Sequence, residues 1–134
     1  ETGLEGEQLS MGYEEHRTMT TPIHSSIESD SFGYDIQSVL SKDEAAPIYI
    51  EVKASRGTKS QAKMHLTRNE YNVSIKKSDS YFFHLWILNS DAPKLAIVPG
   101  REVAKHCPQD NEDGIWSVVE IPFSVFGGWE EWNI

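Results

Sequence analysis

The chain has 134 residues, of which 38% are hydrophobic and 10% aromatic, enough for one domain with a buried core and too few for two, and too apolar for a disordered chain. Its formal net charge of −9 argues against a module that grips nucleic acid by bulk electrostatics, because phosphate neutralisation is what supplies non-specific affinity. Cys107 is the only cysteine, so no internal disulfide forms, and with no apolar run of membrane-spanning length an intracellular, cytoplasmic or nuclear, setting away from membranes is expected.

Leu4 to Thr18 reads as a helix, with Leu9, Met11 and Tyr13 among acids and Arg17 and no proline before Pro22, although Gly6 and Gly12 count against it. Ile23 to Glu28 reads as a short strand and Ser29-Asp30-Ser31 as a turn. Phe32 to Leu40 reads as a second strand, Ser41 to Pro47 as a hairpin loop, and Ile48 to Ala54 as a third strand dense in β-branched and aromatic residues, so the three form an antiparallel meander. The polar and basic stretch Ser55 to Met64 is expected to be a loop. Thr67 and Glu70 form a capping box that starts a second helix running to about Lys77. Tyr81 to Leu88 is an almost unbroken apolar run that fits a central strand covered on both faces. Lys94 to Val98 is a further strand, Arg101 to Cys107 a short helix, and Ile115 to Ile121 a last strand before an aromatic tail. This order predicts a mixed α/β fold, a central mixed sheet flanked by helices, with residues 91–134 as a C-terminal extension of the same domain. The start at Glu1 without a methionine suggests a domain excised from a larger protein.

The chemistry concentrates in Gly33-Tyr34-Asp35-Ile36 and Ile50-Glu51-Val52-Lys53. Side chains alternate along a strand, so Glu51 and Lys53 share one face while Ile50 and Val52 point into the opposite layer. With Asp35 on the neighbouring strand, two carboxylates and an ammonium converge. Magnesium needs only one or two carboxylates beside its waters. Asp35, Glu51 and the backbone carbonyl of Val52 would supply its ligands, and Lys53 would orient a water or steady phosphate charge. The alternative is a cross-strand ion pair worth under about 1 kcal/mol. Arg56, Lys59, Lys63 and Arg68 follow as a basic cluster suited to phosphates; the alternative is a solvated loop. The five histidines show no zinc spacing, and His84, inside the apolar run, reads as a core histidine.

These blocks, together with Gly3-Leu4-Glu5-Gly6-Glu7, Tyr13-Glu14 and Leu66-Thr67-Arg68-Asn69-Glu70, resemble the NO VEIN C-terminal domain family over roughly residues 3 to 90. The resemblance implies a PD-(D/E)xK, restriction-endonuclease-like sandwich and a Mg2+-dependent endonuclease acting on DNA, with Mn2+ able to substitute. It implies attachment to helicases, restriction proteins or other defence modules, and so a targeting domain or subunit in the parent protein. By position, Asp35 and Glu51 correspond to the metal ligands, Lys53 to the catalytic lysine and Glu7 to an acid on the first helix that reaches the site directly or through water. Asn69 matches the later block and, with the basic cluster, would face nucleic acid. The family's proline-aspartate pair is here Tyr34-Asp35. Two other readings stand beside the enzyme. One is a catalytically silent binding module, favoured by the acidic surface. The other is a homodimerisation domain using Phe126, Trp129 and Trp132 as an exposed aromatic patch.

Overall fold

Glu1 caps the first helix by accepting hydrogen bonds from the amides of Gly3 and Leu4, and helix α1 runs over Thr2–Thr18 to a left-handed Met19. In this computed structural model, which describes residues 1–28, 30–89, 91–110 and 114–133, the buried stripe of α1 is Gly6, Ser10, Glu14 and Thr18. Spacing of four puts these small and polar residues on one face. Leu9, Met11 and Tyr13 flank the stripe and are only partly buried. A Cβ on Gly6 would lie 2.8 Å from Cβ of Ala54, so the glycine that weakens the helix is what lets it lie close on the sheet.

The strands are β1 (Ile23–His24), β2 (Ile36–Ser41), β3 (Glu44–Ser55), β4 (Lys63–Thr67), β5 (Tyr81–Ile87), β6 (Lys94–Pro99), β7 (Val118–Pro122) and β8 (Glu130–Glu131). They form a six-stranded sheet in the order β1-β2-β3-β5-β6-β8 and a two-stranded sheet β4-β7. The expected meander β1-β2-β3 is antiparallel. β3 and β5 run parallel, a pairing that needs a crossover, here supplied by β4 and helix α2 (Arg68–Lys77). Helix α3 (Gly100–Ala104) follows β6. The fold is therefore mixed α/β.

Alternation in β3 and β5 divides the core. Ile48, Ile50, Val52 and Trp86 face α1, whereas Tyr81, Phe83, Leu85 and Ile87 join Met64, Leu66, Ile121 and Phe123 on the far side, so β5 is covered on both faces. Among the described residues no helix is long and apolar enough to cross a membrane.

Several expected boundaries give way. Only Ile23–His24 of the expected first strand is extended; Ser25–Ile27 and Asp30–Phe32 are 3-10 turns, and Ser29 lies outside the described residues. The strand expected from Phe32 starts at Ile36, because Gly33 adopts φ 75° and turns the chain. The hairpin loop shrinks to the Lys42-Asp43 turn, with β3 beginning at Glu44. The basic loop contains the start of β4, whose Met64 and Leu66 are buried and whose Lys63, His65 and Thr67 are exposed. The aromatic tail is not an exposed patch. Phe126 is buried, Trp129 stacks on Phe123, and Trp132 meets Tyr13 edge-on at 4.9 Å.

Candidate active site

Asp35 sits one residue before β2, where the chain still follows β3. Its amide donates to the Ile50 carbonyl at 2.8 Å, and its Oδ2 accepts the next β3 donor on that side, Val52 N, at 2.8 Å. In a strand the N–H and C=O of one residue point to the same neighbour. The Val52 carbonyl therefore also faces the Asp35 side, beyond the last β2 partner. Gly33 fixes this approach. A Cβ there would meet Val73 Cγ2 at 2.5 Å, and the Gly33 carbonyl accepts the buried Tyr81 hydroxyl at 2.5 Å.

Glu51 and Lys53 emerge on the face of β3 opposite Ile50 and Val52, beneath the N-terminus of α2. Glu51 is 5% exposed. Lys53 Nζ lies 3.3 Å from Glu51 Oε2 and donates to Glu70 Oε1 and to the His65 carbonyl, both at 2.9 Å. Glu70 Oε1 also accepts Thr67 N at 3.0 Å, completing the capping box expected from sequence. Asp35, Glu51, Glu70, Tyr34, Thr67 and Asn69 line a single cleft of about 440 Å³.

Burial is the main force on these groups. It pushes the Asp35 carboxyl from 3.8 up to about 6, aided by the charges of Glu7 and Glu70 and opposed by the Val52 amide and Lys53. Burial first and the Asp35 charge second hold Glu51 well above the usual carboxylate range, with Lys53 opposing. Burial alone would lower the Lys53 ammonium, but the Glu51 and Glu70 carboxylates outweigh it and its pKa is raised. Acids crowded into a poorly solvated cleft with one fixed cation form an electrostatic arrangement that a further cation relieves. Among the described residues no three His, Cys, Asp or Glu side chains are placed to enclose an ion. The available donors are instead two carboxylates and the Val52 carbonyl, an all-oxygen set of the size that suits a hydrated magnesium ion.

Glu7 stands behind this group. Its Oε1 accepts the Ser26 hydroxyl and meets His24 Nε2, each at 2.6 Å, and its charge is felt at Asp35. The basic cluster is dispersed among acidic partners remote in sequence. Arg56 pairs with Glu5, Lys63 with Glu120 at 3.2 Å, and Arg68 makes a forked pair with Asp110 at 2.8 and 2.6 Å. Lys59 lies over the Trp129 ring. Asn69 lines the cleft and donates to the Ser31 carbonyl at 3.4 Å.

Residues 6–98 match the family model described as Protein NO VEIN, C-terminal. The chain belongs to that family. The matched span holds Glu7, Asp35, Glu51, Lys53, Asn69 and Glu70, so the whole acidic cleft lies within the part shared with other NO VEIN C-terminal domains. Helix α3, β7 and β8 lie beyond it. No curated protein and no solved structure matches the chain significantly.

Glu70 is the site residue that sequence reasoning missed. Its capping role accounts for it fully, and nothing in Thr-Arg-Asn-Glu announces that the same oxygen grips Lys53 across the crossover. His24 and Ser26 were hidden for a similar reason, since only the fold brings them to Glu7.

Proposed function

We propose that this NO VEIN C-terminal domain is a magnesium-dependent phosphodiesterase of the PD-(D/E)xK type that cuts DNA as the effector part of a restriction or anti-phage defence protein. The observation that carries the reading is that Asp35 and Glu51 line one cleft, with Lys53 held beside it between Glu51 and Glu70. Asp35, Glu51 and the Val52 carbonyl would hold the ion. When bound, magnesium lowers the pKa of a coordinated water and offsets charge on the phosphate.

The chain's own residues supply the rest. Val52 N–H fixes the Asp35 carboxylate through Oδ2, and Oδ1 has no hydrogen-bond donor among the described residues. Lys53 stays protonated between two carboxylates, and the N–H that faces Glu51 Oε2 is the one that would turn to the water or to developing phosphate charge, a contact worth most in a cleft that excludes solvent. Glu70 positions that ammonium, and the His65 carbonyl takes a second of its protons. Glu7 acts through its charge on Asp35. Manganese, with similar ligand demands, would substitute. A surface at −9 with its arginines paired implies that other domains or subunits of the parent bring the site to DNA.

The test is cleavage of plasmid and single-stranded substrates by the parent protein in magnesium and in manganese. Lys53→Ala is expected to lose about 100-fold or more in rate with little change in binding, since contacts made only in the transition state govern the chemical step. Undiminished cleavage by both Lys53→Ala and Glu51→Ala would assign the chemistry elsewhere and leave a binding module.

A further inference from the structure

From the cleft a row of aromatic rings leads along the face of β3 that carries Glu51 and Lys53. Tyr49 lies two residues before Glu51 and so on the same face. Tyr34, which lines the cleft, meets Tyr49 edge-on at 4.9 Å and stacks on Phe32 at 5.8 Å with 19° between the planes. Phe32 is 38% exposed, and the loop bearing it is tied to α2 by the Asn69–Ser31 hydrogen bond. At the other end of the row Lys77 Nζ stands 4.1 Å from the Tyr49 ring centre. Asn69, Val73 and Lys77 follow at spacing of four, so one face of α2 walls the row along its length.

All four arginines, with Lys53, Lys63 and Lys105, pair with acids. Of the lysines with no acidic partner among the described residues, Lys77 is the one that stands over this row, facing the Tyr49 ring. The ground beside the cleft therefore offers an exposed ring and an ammonium available to a phosphate. Sequence-tolerant recognition of unpaired nucleotides uses that combination of stacking and local charge. Bases inside a duplex already have both faces covered and cannot use it.

We infer that Phe32, Tyr34, Tyr49 and Lys77 form a binding track for single-stranded nucleic acid, with a base stacked on Phe32 and a phosphate at Lys77. The track deepens the nuclease reading by naming the strandedness of its substrate, and it rests on that reading for its biological purpose. The stacked Phe32–Tyr34 pair is the anchor, since Phe32 is the ring of the row that is exposed.

The experiment measures dissociation constants by fluorescence anisotropy on the chain carrying Asp35→Asn, so that nothing is cut. The probes are a labelled mixed-sequence DNA single strand, its duplex and the RNA strand of the same sequence. The single strands are expected to bind more tightly than the duplex, and Phe32→Ala to weaken them at least about fivefold, the lower end of what loss of one stacked base costs. Phe32→Trp should restore binding. Lys77→Ala should lower the slope of log affinity against log salt by about 0.7, the contribution of one single-strand phosphate contact. Thermal melting of each variant checks that the fold is intact. Unchanged single-strand binding in Phe32→Ala, tighter binding of the duplex, or binding of none of the probes overturns the inference. The DNA and RNA arms show which sugar the track accepts. A separate outcome, this track intact but parent cleavage indifferent to Glu51→Ala, would sink the catalytic reading alone.

Discussion

Asp35→Asn exposes the electrostatic cost of the cleft in the metal-free protein. The Asp35 carboxyl moves from 3.8 to about 6 on folding, chiefly through burial. At about 1.36 kcal/mol per pH unit, that displacement costs the folded state at most about 3 kcal/mol at neutral pH. Because the folded pKa is the higher one, the cost is absent below about pH 4, grows as pH rises to about 6, and is constant above. Asparagine keeps an acceptor for Val52 N but is itself a buried amide, so the net gain above pH 7 is expected to be about 1–2 kcal/mol. His84 complicates the raw profile with the opposite sign. Burial lowers its imidazole from 6.5 to about 4, so its contribution is full above about pH 6.5 and is lost as pH falls. It acts equally in both proteins and cancels in their difference. The assay is thermal denaturation of wild type and Asp35→Asn in chelator from pH 4 to 8. The variant should melt about 3 °C or more above wild type at pH 7.5, and the gap should close and then reverse toward pH 4, where the wild type sheds its cost and the variant still carries that of a buried amide. A variant that melts no higher than wild type at pH 7.5, or a gap independent of pH, would refute the reasoning.

Magnesium or manganese should raise the wild-type melting temperature, by an amount equivalent to about 1.4 kcal/mol at ten times the dissociation constant, and should do so less in Asp35→Asn. An equal response would place the ions elsewhere, as at Glu112 and Asp113, which lie outside the described residues. Gly33→Ala, forced into φ 75° with its Cβ against Val73, should cost at least about 2 kcal/mol in denaturant unfolding. Glu70→Gln keeps an acceptor for Thr67 N and removes the charge beside Lys53, so parent cleavage should fall about tenfold while melting changes less than in Glu70→Ala.

What could be read along the chain was whatever local physics decides. The capping box at Thr67 and Glu70, the apolar run of β5 and the alternation that sets Glu51 and Lys53 opposite Ile50 and Val52 all depend on neighbours within a few residues. β4 escaped because its period-two pattern is only Met64 and Leu66, set among charges that mimic a loop. The buried stripe of α1 escaped because it is polar. Ser10 is buried by accepting Trp86 Nε1–H at 2.7 Å and by a 2.9 Å contact with His84 Nδ1, partners more than seventy residues away. The ion pairs within the basic cluster were hidden for the same reason: Glu5, Glu120 and Asp110, the partners of Arg56, Lys63 and Arg68, are set by topology rather than by spacing.

The central claim is that Asp35, Glu51 and the Val52 carbonyl hold the catalytic ion beside Lys53. It is tested most directly by anomalous diffraction from crystals of this chain soaked in manganese. The account predicts a peak within about 2.0–2.3 Å of an Asp35 oxygen, a Glu51 oxygen and the Val52 carbonyl, with remaining positions filled by water. It also predicts loss of that peak in Asp35→Asn. Ordered crystals that show manganese only elsewhere, or none at the cleft at concentrations that support cleavage, would contradict it.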